Sequence, residues 1–331
     1  MKEALFYERL KDKVQCQLCP HNCIIADGKR GICGVRENKD GKLYSLVYGK
    51  AIANSLDPIE KKPLFHFLPG SLSYSLATQG CNLKCKFCQN WEISQETQNI
   101  IGKDISPEEI VQDAIDNDCK SISYTYTEPT IFFEYALDTA KIAHKNGLKN
   151  VFVSNGFINK EPIKEISRYL DAINIDLKGF SEDYYKKLCG ARLKPVLDAI
   201  KEYHKQGVFL EITTLIVPGH NDNEDMLKKI AEFIASVDKN IPWHISRFFP
   251  HYKMDHTNPT DTSTIHKAIK TGKQLGIKYI YAGNIPGDGN ESTYCPNCGK
   301  KIIERIGFNI GSIKLKGNKC PFCNSEINII N

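Results

Sequence analysis

The sequence predicts an α/β protein built on a partial or full TIM-type (β/α) barrel, with a small cysteine-rich module at each end. Between residues 71 and 285, apolar strand-like runs alternate at least six times with amphipathic helical patterns. Polar residues follow almost every predicted strand. Eleven of the 13 cysteines fall into three clusters, which we assign to an N-terminal module (1–70), the barrel (71–285) and a C-terminal module (286–331).

The composition indicates an ordinary globular chain. Its 331 residues are 41% hydrophobic and 25% charged, enough for one barrel with small additions. The net charge of +5 is mildly basic, so it neither favours nucleic acid by itself nor excludes RNA. No apolar run has the length of a membrane span, and the N-terminus lacks the apolar core of a signal peptide. We therefore expect a cytoplasmic protein whose cysteines bind metals rather than form disulfides.

The N-terminal module has the spacing C-x2-C-x3-C-x9-C, with Cys16, Cys19, Cys23 and Cys33. The pair Asp40-Gly41 predicts a hairpin turn, followed by a strand at 42–48. Four thiolates on turns suit a metal site that replaces a core in so small a module. Zinc and an iron–sulfur cluster both fit. A structural staple is favoured over an auxiliary cluster that relays an electron or holds substrate.

Residues 57–70 predict a loop or linker, because they include three prolines and a glycine. The aromatic residues in this stretch indicate that it packs on the domain that follows. His66 is interpreted as a packed, hydrogen-bonded histidine rather than a ligand.

Seven strands and six helices are predicted in the central domain. The strands are 75–79, 121–126, 150–154, 172–177, 209–217, 243–248 and 278–282. The helices are 107–117, 132–145, 160–170, 194–204, 225–237 and 263–275. Ser106, Pro107 and Glu109 carry the signature of a capped helix start. In a TIM-type barrel the chemistry lies at the C-terminal ends of the strands.

Residues that packing alone does not require follow these predicted strands. They are Cys81, Cys85 and Cys88 after the first strand, Glu128 after the second, Ser154 and Asn155 after the third, Asp176 and Lys178 after the fourth, and His251 after the sixth. Each one alone could be a helix cap or a loop residue. Together they predict one site at the mouth of the barrel.

The spacing C-x3-C-x2-C at Cys81, Cys85 and Cys88 suits three corners of a four-iron cluster. One iron would stay open, so it could ligate a small molecule and pass it an electron. No fourth cysteine follows within the loop, as a structural metal site would normally require. A zinc loop or three buried thiols is the alternative.

The C-terminal module has the spacing C-x2-C-x21-C-x2-C, with Cys295, Cys298, Cys320 and Cys323. Two such knuckles, joined by strand-like stretches at 301–309 and 311–316, predict a zinc ribbon. A rubredoxin-type iron site and buried thiols are the alternatives. The role is either structural or the binding of a protein or RNA partner. Cys119 and Cys189 stand alone and are interpreted as core or surface thiols.

These motifs resemble the radical S-adenosylmethionine (SAM) superfamily. The cysteine loop, with Phe87 directly before its last cysteine, is similar to the superfamily pattern. Residues 71–285 resemble the pyruvate formate-lyase-activating enzymes. The whole chain looks closer still to the AmmeMemoRadiSam-system radical SAM enzymes, through the stretches 16–23, 58–64 and 87–94. The C-terminal module is less typical of that family.

The resemblance implies a role for each residue at the mouth. Cys81, Cys85 and Cys88 would bind a [4Fe–4S] cluster, and the amino and carboxylate groups of SAM would chelate its fourth iron. The backbone at Phe87 would flank the adenine, and Glu128 would hold the methionyl ammonium. The remaining matches to the activating enzymes are Ser154 and Asn155 in their Thr-Asn-Gly segment, Asp176 and Lys178 near the ribose and carboxylate, and His251 near a histidine after the sixth strand.

Three positions depart from the family pattern. Tyr126 and Thr127 replace the two glycines that precede the glutamate, so the backbone approach to SAM differs. Val153 stands where the activating enzymes place an acid, which puts a cation site like theirs in doubt.

The resemblance implies reductive cleavage of SAM to a 5′-deoxyadenosyl radical, which abstracts a hydrogen atom from a substrate. A protein substrate is favoured, and an external donor such as ferredoxin or flavodoxin would supply the electron. The family name also implies partners with AMMECR- or Memo-type domains. The alternatives are radical modification of RNA or a small metabolite, and a non-enzymatic metal-binding adaptor.

Overall fold

An eight-stranded sheet forms the centre of the computed structural model, which describes all residues from 1 to 331. Seven parallel strands follow one another in chain order, and an eighth pairs antiparallel with the first of them. The strands are β1 (Ala53–Pro58), β2 (Leu72–Ala77), β3 (Ser121–Tyr124), β4 (Lys149–Ser154), β5 (Ala172–Asp176), β6 (Phe209–Ile216), β7 (Trp243–Arg247) and β8 (Ile280–Gly283). Because β1 and β8 are free edges, the predicted α/β barrel is confirmed in its partial form.

Helices connect the parallel strands, as parallel pairing requires. The long ones are Pro107–Asp116, Phe133–Lys145, Lys160–Ile166, Leu193–Lys205, Glu224–Val237 and Thr262–Gln274. Short helical segments are Ile59–Lys61, Trp91–Gln95, Pro129–Phe132, Glu182–Tyr184, Tyr185–Cys189 and Tyr252–Met254. The predicted capping box is present, because Ser106 and Glu109 each accept a hydrogen bond from the other's backbone N–H. None of the helices combines the length and apolar character that a bilayer crossing needs.

The seven predicted strands and six predicted helices are all present, but β1 differs from the prediction. Residues 57–70 are predicted as a loop, yet Asp57 and Pro58 end β1, which pairs with β2 from Ala53 opposite Ala77 to Pro58 opposite Leu72. An edge strand tolerates proline, because its outer side needs no donor. β1 also carries polar side chains and alternating exposure, so it lacks the apolar run that marks the inner strands.

The rest of that segment closes the end of the barrel where the strands begin. Glu211 in β6 accepts hydrogen bonds from the backbone N–H groups of Phe65 and His66 at 3.1 and 2.7 Å. Asn174 in β5 donates to the carbonyl of Pro63 at 2.7 Å. An apolar cluster forms from Ile59, Leu64, Phe67, Val151 and Ala172. Residues 59–68 are therefore a packed base plug rather than a free linker.

The N-terminal module consists of two three-stranded antiparallel sheets. Their strands are Lys2–Glu3, Arg36–Lys39 and Lys42–Ser45, and Tyr7–Arg9, Lys13–Cys16 and Ile24–Ala26; Lys50–Ala51 also pairs with Lys103–Asp104. The predicted hairpin is confirmed at Asp40-Gly41, where both residues have a positive φ of 52° and 73°. A buried ion pair of 3.0 Å between Arg36 and Glu134 joins the module to the barrel.

The C-terminal module packs on the base plug. It is a three-stranded antiparallel sheet of Thr293–Tyr294, Lys301–Ile306 and Asn309–Ile313. The guanidinium of Arg305 is buried, donates to the Phe65 carbonyl at 2.7 Å and lies 3.5 Å from the Glu60 carboxylate. A buried charge is tolerated only when it is paired in this way. The module is thus held to the barrel by contacts that its removal would break.

His66 is completely buried between the C-terminal module and the barrel. Its Nδ1 lies 2.6 Å from the Asn328 carbonyl, and its Nε2 contacts the Tyr281 hydroxyl. Nδ1 therefore carries the proton, and Nε2 accepts from the tyrosine, which describes a neutral imidazole. The prediction of a packed, hydrogen-bonded histidine is confirmed. Burial lowers the pKa of His66 from 6.5 to about 4.

Because His66 is buried and neutral, we expect the free energy of unfolding to decrease as the pH falls from 6.5 to about 4. In this window the unfolded chain binds a proton at His66 that the folded chain excludes. The neutral His66 contributes fully to stability above pH 6.5, and the loss of this contribution lowers the free energy of unfolding by about 3 kcal/mol. Urea unfolding across this range should show a weaker pH dependence for His66→Gln than for the wild type. His256→Gln, at an exposed site, should behave as the wild type. Equal pH dependence of the wild type and His66→Gln would contradict the prediction.

Candidate active site

The three central cysteines lie on an irregular loop that follows β2. We call residues 80–90 the cluster loop. Its backbone is held by three hydrogen bonds to neighbouring segments, from Gly80 N to Ile93 O (2.9 Å), from Lys84 N to Cys189 O (2.8 Å) and from Lys86 N to Leu188 O (2.9 Å). Gly80 has a φ of 101°, and a Cβ there would stand 2.9 Å from the carbonyl oxygen of Cys33. Glycine is therefore required where the loop meets the N-terminal module.

The three thiols of the loop have different surroundings. The backbone N–H of Leu83 approaches the Cys81 sulfur at 3.4 Å, and the Cys88 sulfur lies 3.2 Å from the Ser94 hydroxyl. Cys85 is buried beside Cys189, and this thiol together with burial raises the pKa of Cys85 well above its usual value. Cys189, interpreted from the sequence as an isolated core or surface thiol, is thus a buried neighbour of the cluster loop.

Glu128 is buried four residues after the end of β3, and its carboxylate is held by four donors. Oε1 accepts from the backbone N–H and hydroxyl of Thr130 at 3.0 and 2.6 Å and from the Ser154 hydroxyl at 2.8 Å. Oε2 accepts only from the backbone N–H of Asn155 at 2.8 Å. Burial raises the pKa of Glu128, although these hydrogen bonds oppose the shift. Oε2 accepts one hydrogen bond against three at Oε1, so it can accept a further donor.

Asn155 connects this carboxylate to the cluster loop. Its side-chain N–H donates to the Asn82 side chain at 2.9 Å and lies 3.7 Å from the sulfur of Cys81. The side-chain Oδ1 of Asn155 accepts a hydrogen bond from the backbone N–H of Phe157 at 2.9 Å. The ends of β3 and β4 therefore meet at Cys81, as the predicted barrel mouth requires.

Asp176 and Lys178 reach the cluster loop from the end of β5. Their charged groups lie 2.7 Å apart, and the Lys178 ammonium stands 5.9 Å from the centre of the Phe87 ring. Burial opposes the charge of Lys178, but the ion pair with Asp176 raises the pKa of the ammonium well above its usual value. A persistent cation therefore borders the loop on the side of Phe87.

His251 is placed differently from the other predicted residues. It is exposed, and its side chain forms no hydrogen bond or ion pair with the residues of the mouth. The neighbouring Tyr252 instead stacks on Trp91 with ring centres 5.0 Å apart, and Lys253 N donates to Lys86 O at 3.0 Å. The segment after β7 thus supports the cluster loop through residues that follow His251.

Tyr126 departs from the family pattern, and the sequence alone assigns no role to it or to the other residues that support the site. Tyr126 has a positive φ of 62°, its carbonyl accepts from the Asn90 side chain at 2.7 Å, and its hydroxyl donates to Asp57. Although burial opposes it, Lys61 and Lys62 hold the pKa of Asp57 well below its usual range. Asn90 lies in the stretch 87–94, and Lys61 and Lys62 lie in the stretch 58–64. Both stretches resemble the family pattern, but the pattern does not show the contacts of these residues with Tyr126 and Asp57.

The two four-cysteine groups differ in spacing. In the C-terminal module, Cys295 and Cys323 have sulfurs 3.6 Å apart, those of Cys298 and Cys320 are 3.7 Å apart, and all four lie within 4.8 Å of one another. One tetrahedral ion with metal–sulfur bonds of about 2.3 Å would set its sulfurs about 3.8 Å apart, so this group fits a single ion. The N-terminal cysteines line a cavity instead.

Comparison with known proteins agrees with this geometry. A model of the Radical SAM superfamily matches residues 75–234. The chain belongs to the radical SAM superfamily. It is 48% identical over 335 aligned positions to an uncharacterized protein of Methanocaldococcus jannaschii, covering 100% of both chains.

Two further relatives of this radical SAM protein are more distant. Pyruvate formate-lyase 1-activating enzyme of Escherichia coli is 22% identical over 222 residues, which cover 61% of this chain and 89% of the enzyme. The crystal structure of a radical SAM methyltransferase from Sphaerobacter thermophilus superposes with a TM-score of 0.52 at 14% identity, covering 65% of this chain and 67% of that one. The latter shows a shared fold.

The resemblance to radical SAM and pyruvate formate-lyase-activating enzymes is therefore confirmed, and the superfamily implies a [4Fe–4S] cluster and SAM as cofactors. Membership of the AmmeMemoRadiSam branch stays a prediction.

The contacts of Glu128 predict a large loss of stability for Glu128→Ala. The substitution leaves four buried donors without an acceptor, so the free energy of unfolding should fall by at least about 3 kcal/mol. Glu128→Gln keeps an acceptor oxygen and should lose less. Glu232→Ala, on the exposed face of a helix, should change stability by no more than about 0.5 kcal/mol. Urea unfolding measures all three, and equal losses for Ala at positions 128 and 232 would contradict the prediction.

Proposed function

We propose that this chain cleaves SAM reductively at a [4Fe–4S] cluster and abstracts a hydrogen atom from a protein substrate. Cys81, Cys85 and Cys88 would each ligate one iron, and SAM would take the fourth. One observation supports this most: Glu128, Asn155 and Lys178, from three different strand ends, converge on a loop with three cysteines. Three ligands on one loop, with an acidic and a basic group beside them, match the needs of an amino-acid headgroup at an open iron.

The donor set fits these cofactors. Thiolates are the usual ligands of iron–sulfur clusters, and the loop offers three of them within eight residues. Glu128 Oε2 keeps one acceptor position, which an ammonium group can fill. When bound, the cluster and SAM supply the one-electron cleavage that yields methionine and the 5′-deoxyadenosyl radical.

The residues of the chain bind and orient rather than react. Thr130 and Ser154 fix the Glu128 carboxylate, so its free acceptor position is ready for the methionyl ammonium. Lys178 offers a cation for the SAM carboxylate, with Asp176 as its alternative partner and a candidate contact of the ribose. The backbone at Phe87 is assigned to the adenine. Exposed His251 has no contact that supports a part in this site.

The protein substrate is proposed from the activating-enzyme relatives. The similarity to pyruvate formate-lyase 1-activating enzyme covers 61% of this chain and 89% of that enzyme. The same relatives support an external one-electron donor of the ferredoxin or flavodoxin class. Partners with AMMECR- or Memo-type domains stay a prediction from the sequence resemblance.

The C-terminal module is proposed to bind zinc. The spacing of its four sulfurs fits one tetrahedral ion, and all four ligands come from two knuckles of a ribbon. Because Cys295 and Cys320 also belong to the apolar cluster with Phe65 and Tyr281, the metal would stabilise the base of the barrel rather than the mouth.

Anaerobic assay of the reconstituted protein with SAM and a chemical reductant tests the proposal. The wild type should form 5′-deoxyadenosine, whereas Cys85→Ala should lose this product together with the absorbance of the SAM-binding cluster, because one cluster ligand is missing. Cys119→Ala removes a buried thiol that lies just before the start of β3, at the opposite end of that strand from Glu128, and should retain the product. Cleavage of SAM by Cys85→Ala at the wild-type rate would show that the site is wrong.

The same assay tests the substrate when fractions of deuterium-labelled cells are added. Deuterium should enter 5′-deoxyadenosine from the protein fraction. Transfer from the RNA or small-molecule fraction alone would contradict a protein substrate.

A further inference from the structure

The four N-terminal cysteines surround an open space. Cys16, Cys19, Cys23 and Cys33 line one small cavity, together with His21, Arg36 and Thr130. The C-terminal set forms one compact group, in which all four sulfurs lie within 4.8 Å of one another, and the N-terminal cysteines form no such compact group. A single tetrahedral ion draws its sulfurs to about 3.8 Å, whereas a four-iron cluster carries each thiolate on a separate iron. The spacing and the cavity therefore favour a cluster.

A buried cation lines the same cavity. Arg36 is 2% exposed, and its terminal nitrogens bind the Glu134 carboxylate at 3.0 Å and the Leu5 carbonyl at 2.8 Å. Its Nε is also buried but has no acceptor. Such unpaired buried donors are rare in folded proteins. The sulfurs of an anionic cluster would supply both the missing acceptor and a negative charge for the guanidinium.

The cavity adjoins the proposed SAM site. Thr130, which holds Glu128, is one of its lining residues. His21 is another, and its Nε2 lies 2.8 Å from the carbonyl oxygen of Asn82, the neighbour of Cys81. On the other side of Cys81, the Cys33 carbonyl packs against Gly80. One hydrogen bond and one packing contact thus join the N-terminal module to the two residues on either side of Cys81.

We infer that Cys16, Cys19, Cys23 and Cys33 hold a second [4Fe–4S] cluster, which exchanges electrons with the cluster proposed at residues 81–88. One electron passes from the reduced N-terminal cluster to the oxidised SAM-binding cluster. An external donor of the ferredoxin or flavodoxin class then returns the N-terminal cluster to its reduced state. The electron exchange rests on the proposed function, whereas the metal assignment rests on the N-terminal module alone. The N-terminal cysteines would then hold a redox centre rather than the structural staple that the sequence favours.

Metal analysis of the full-length chain, reconstituted anaerobically with ferrous iron and sulfide, tests the assignment. The wild type should contain about eight irons and about one zinc. The variant Cys81→Ala/Cys85→Ala/Cys88→Ala and the variant Cys19→Ala/Cys33→Ala should each keep about four irons. Cys119→Ala leaves all three cysteine groups intact and should keep about eight.

A wild type with about four irons and about two zincs would overturn the metal assignment, and so would a triple variant without iron. If the wild type and the triple variant both hold about four irons, the N-terminal cluster is supported and the proposed function fails instead. The triple variant decides the assignment even if Cys19→Ala/Cys33→Ala does not fold.

Electron paramagnetic resonance of the fully reduced protein tests the electron exchange. Two paramagnetic clusters in adjoining sites should interact, so the wild-type spectrum should be broader than the sum of the two variant spectra. The N-terminal signal should also relax faster in the wild type than in the triple variant, a comparison that needs no N-terminal variant. Unchanged relaxation and a spectrum equal to the sum would overturn the exchange.

Discussion

The cluster loop depends on its neighbours, because it contains no strand or long helix of its own. Its backbone groups find partners in the N-terminal module (His21 to Asn82 O, 2.8 Å), in residues 188–189, and in the segment after β7 (Lys253 N to Lys86 O, 3.0 Å). Buried backbone polar groups must be satisfied, so the loop keeps one conformation only while all three neighbours are in place. The positions of three thiols thus depend on elements from all along the chain.

Charged groups are used differently at the two ends of the barrel. At the base, Glu211 and His244 lie 2.6 Å apart, and Arg305 faces Glu60, so these groups pair with one another beneath the sheet. At the mouth, Glu128 keeps an acceptor position, and Lys178 borders the cysteine loop. The base therefore serves stability and the mouth serves chemistry, which is the division expected for barrels of this type. Because the C-terminal module belongs to the base, its loss would act on the reaction through folding.

Local sequence patterns were sufficient to predict the parallel strands, the helices, the capping box at Ser106 and the hairpin at Asp40-Gly41. Strand order then brought Glu128, Asn155 and Lys178 to Cys81 and its loop, as the barrel rule requires. Other features depend on contacts between distant residues. β1 is polar and holds its place only through pairing with β2, and Arg36 meets Glu134 across 98 positions of chain. Cysteine spacing identifies ligands, but the space between their sulfurs, which separates one ion from a cluster, is a tertiary property.

Binding of SAM to the open iron at residues 81–88 is the central claim. Electron–nuclear double resonance on the reduced protein tests it most directly, with SAM labelled by ¹³C at its carboxylate. We expect a hyperfine coupling between the cluster and the label, absent in Cys85→Ala and present in Cys119→Ala. An intact, reduced cluster at Cys81, Cys85 and Cys88 that shows no coupling with saturating SAM would contradict the claim.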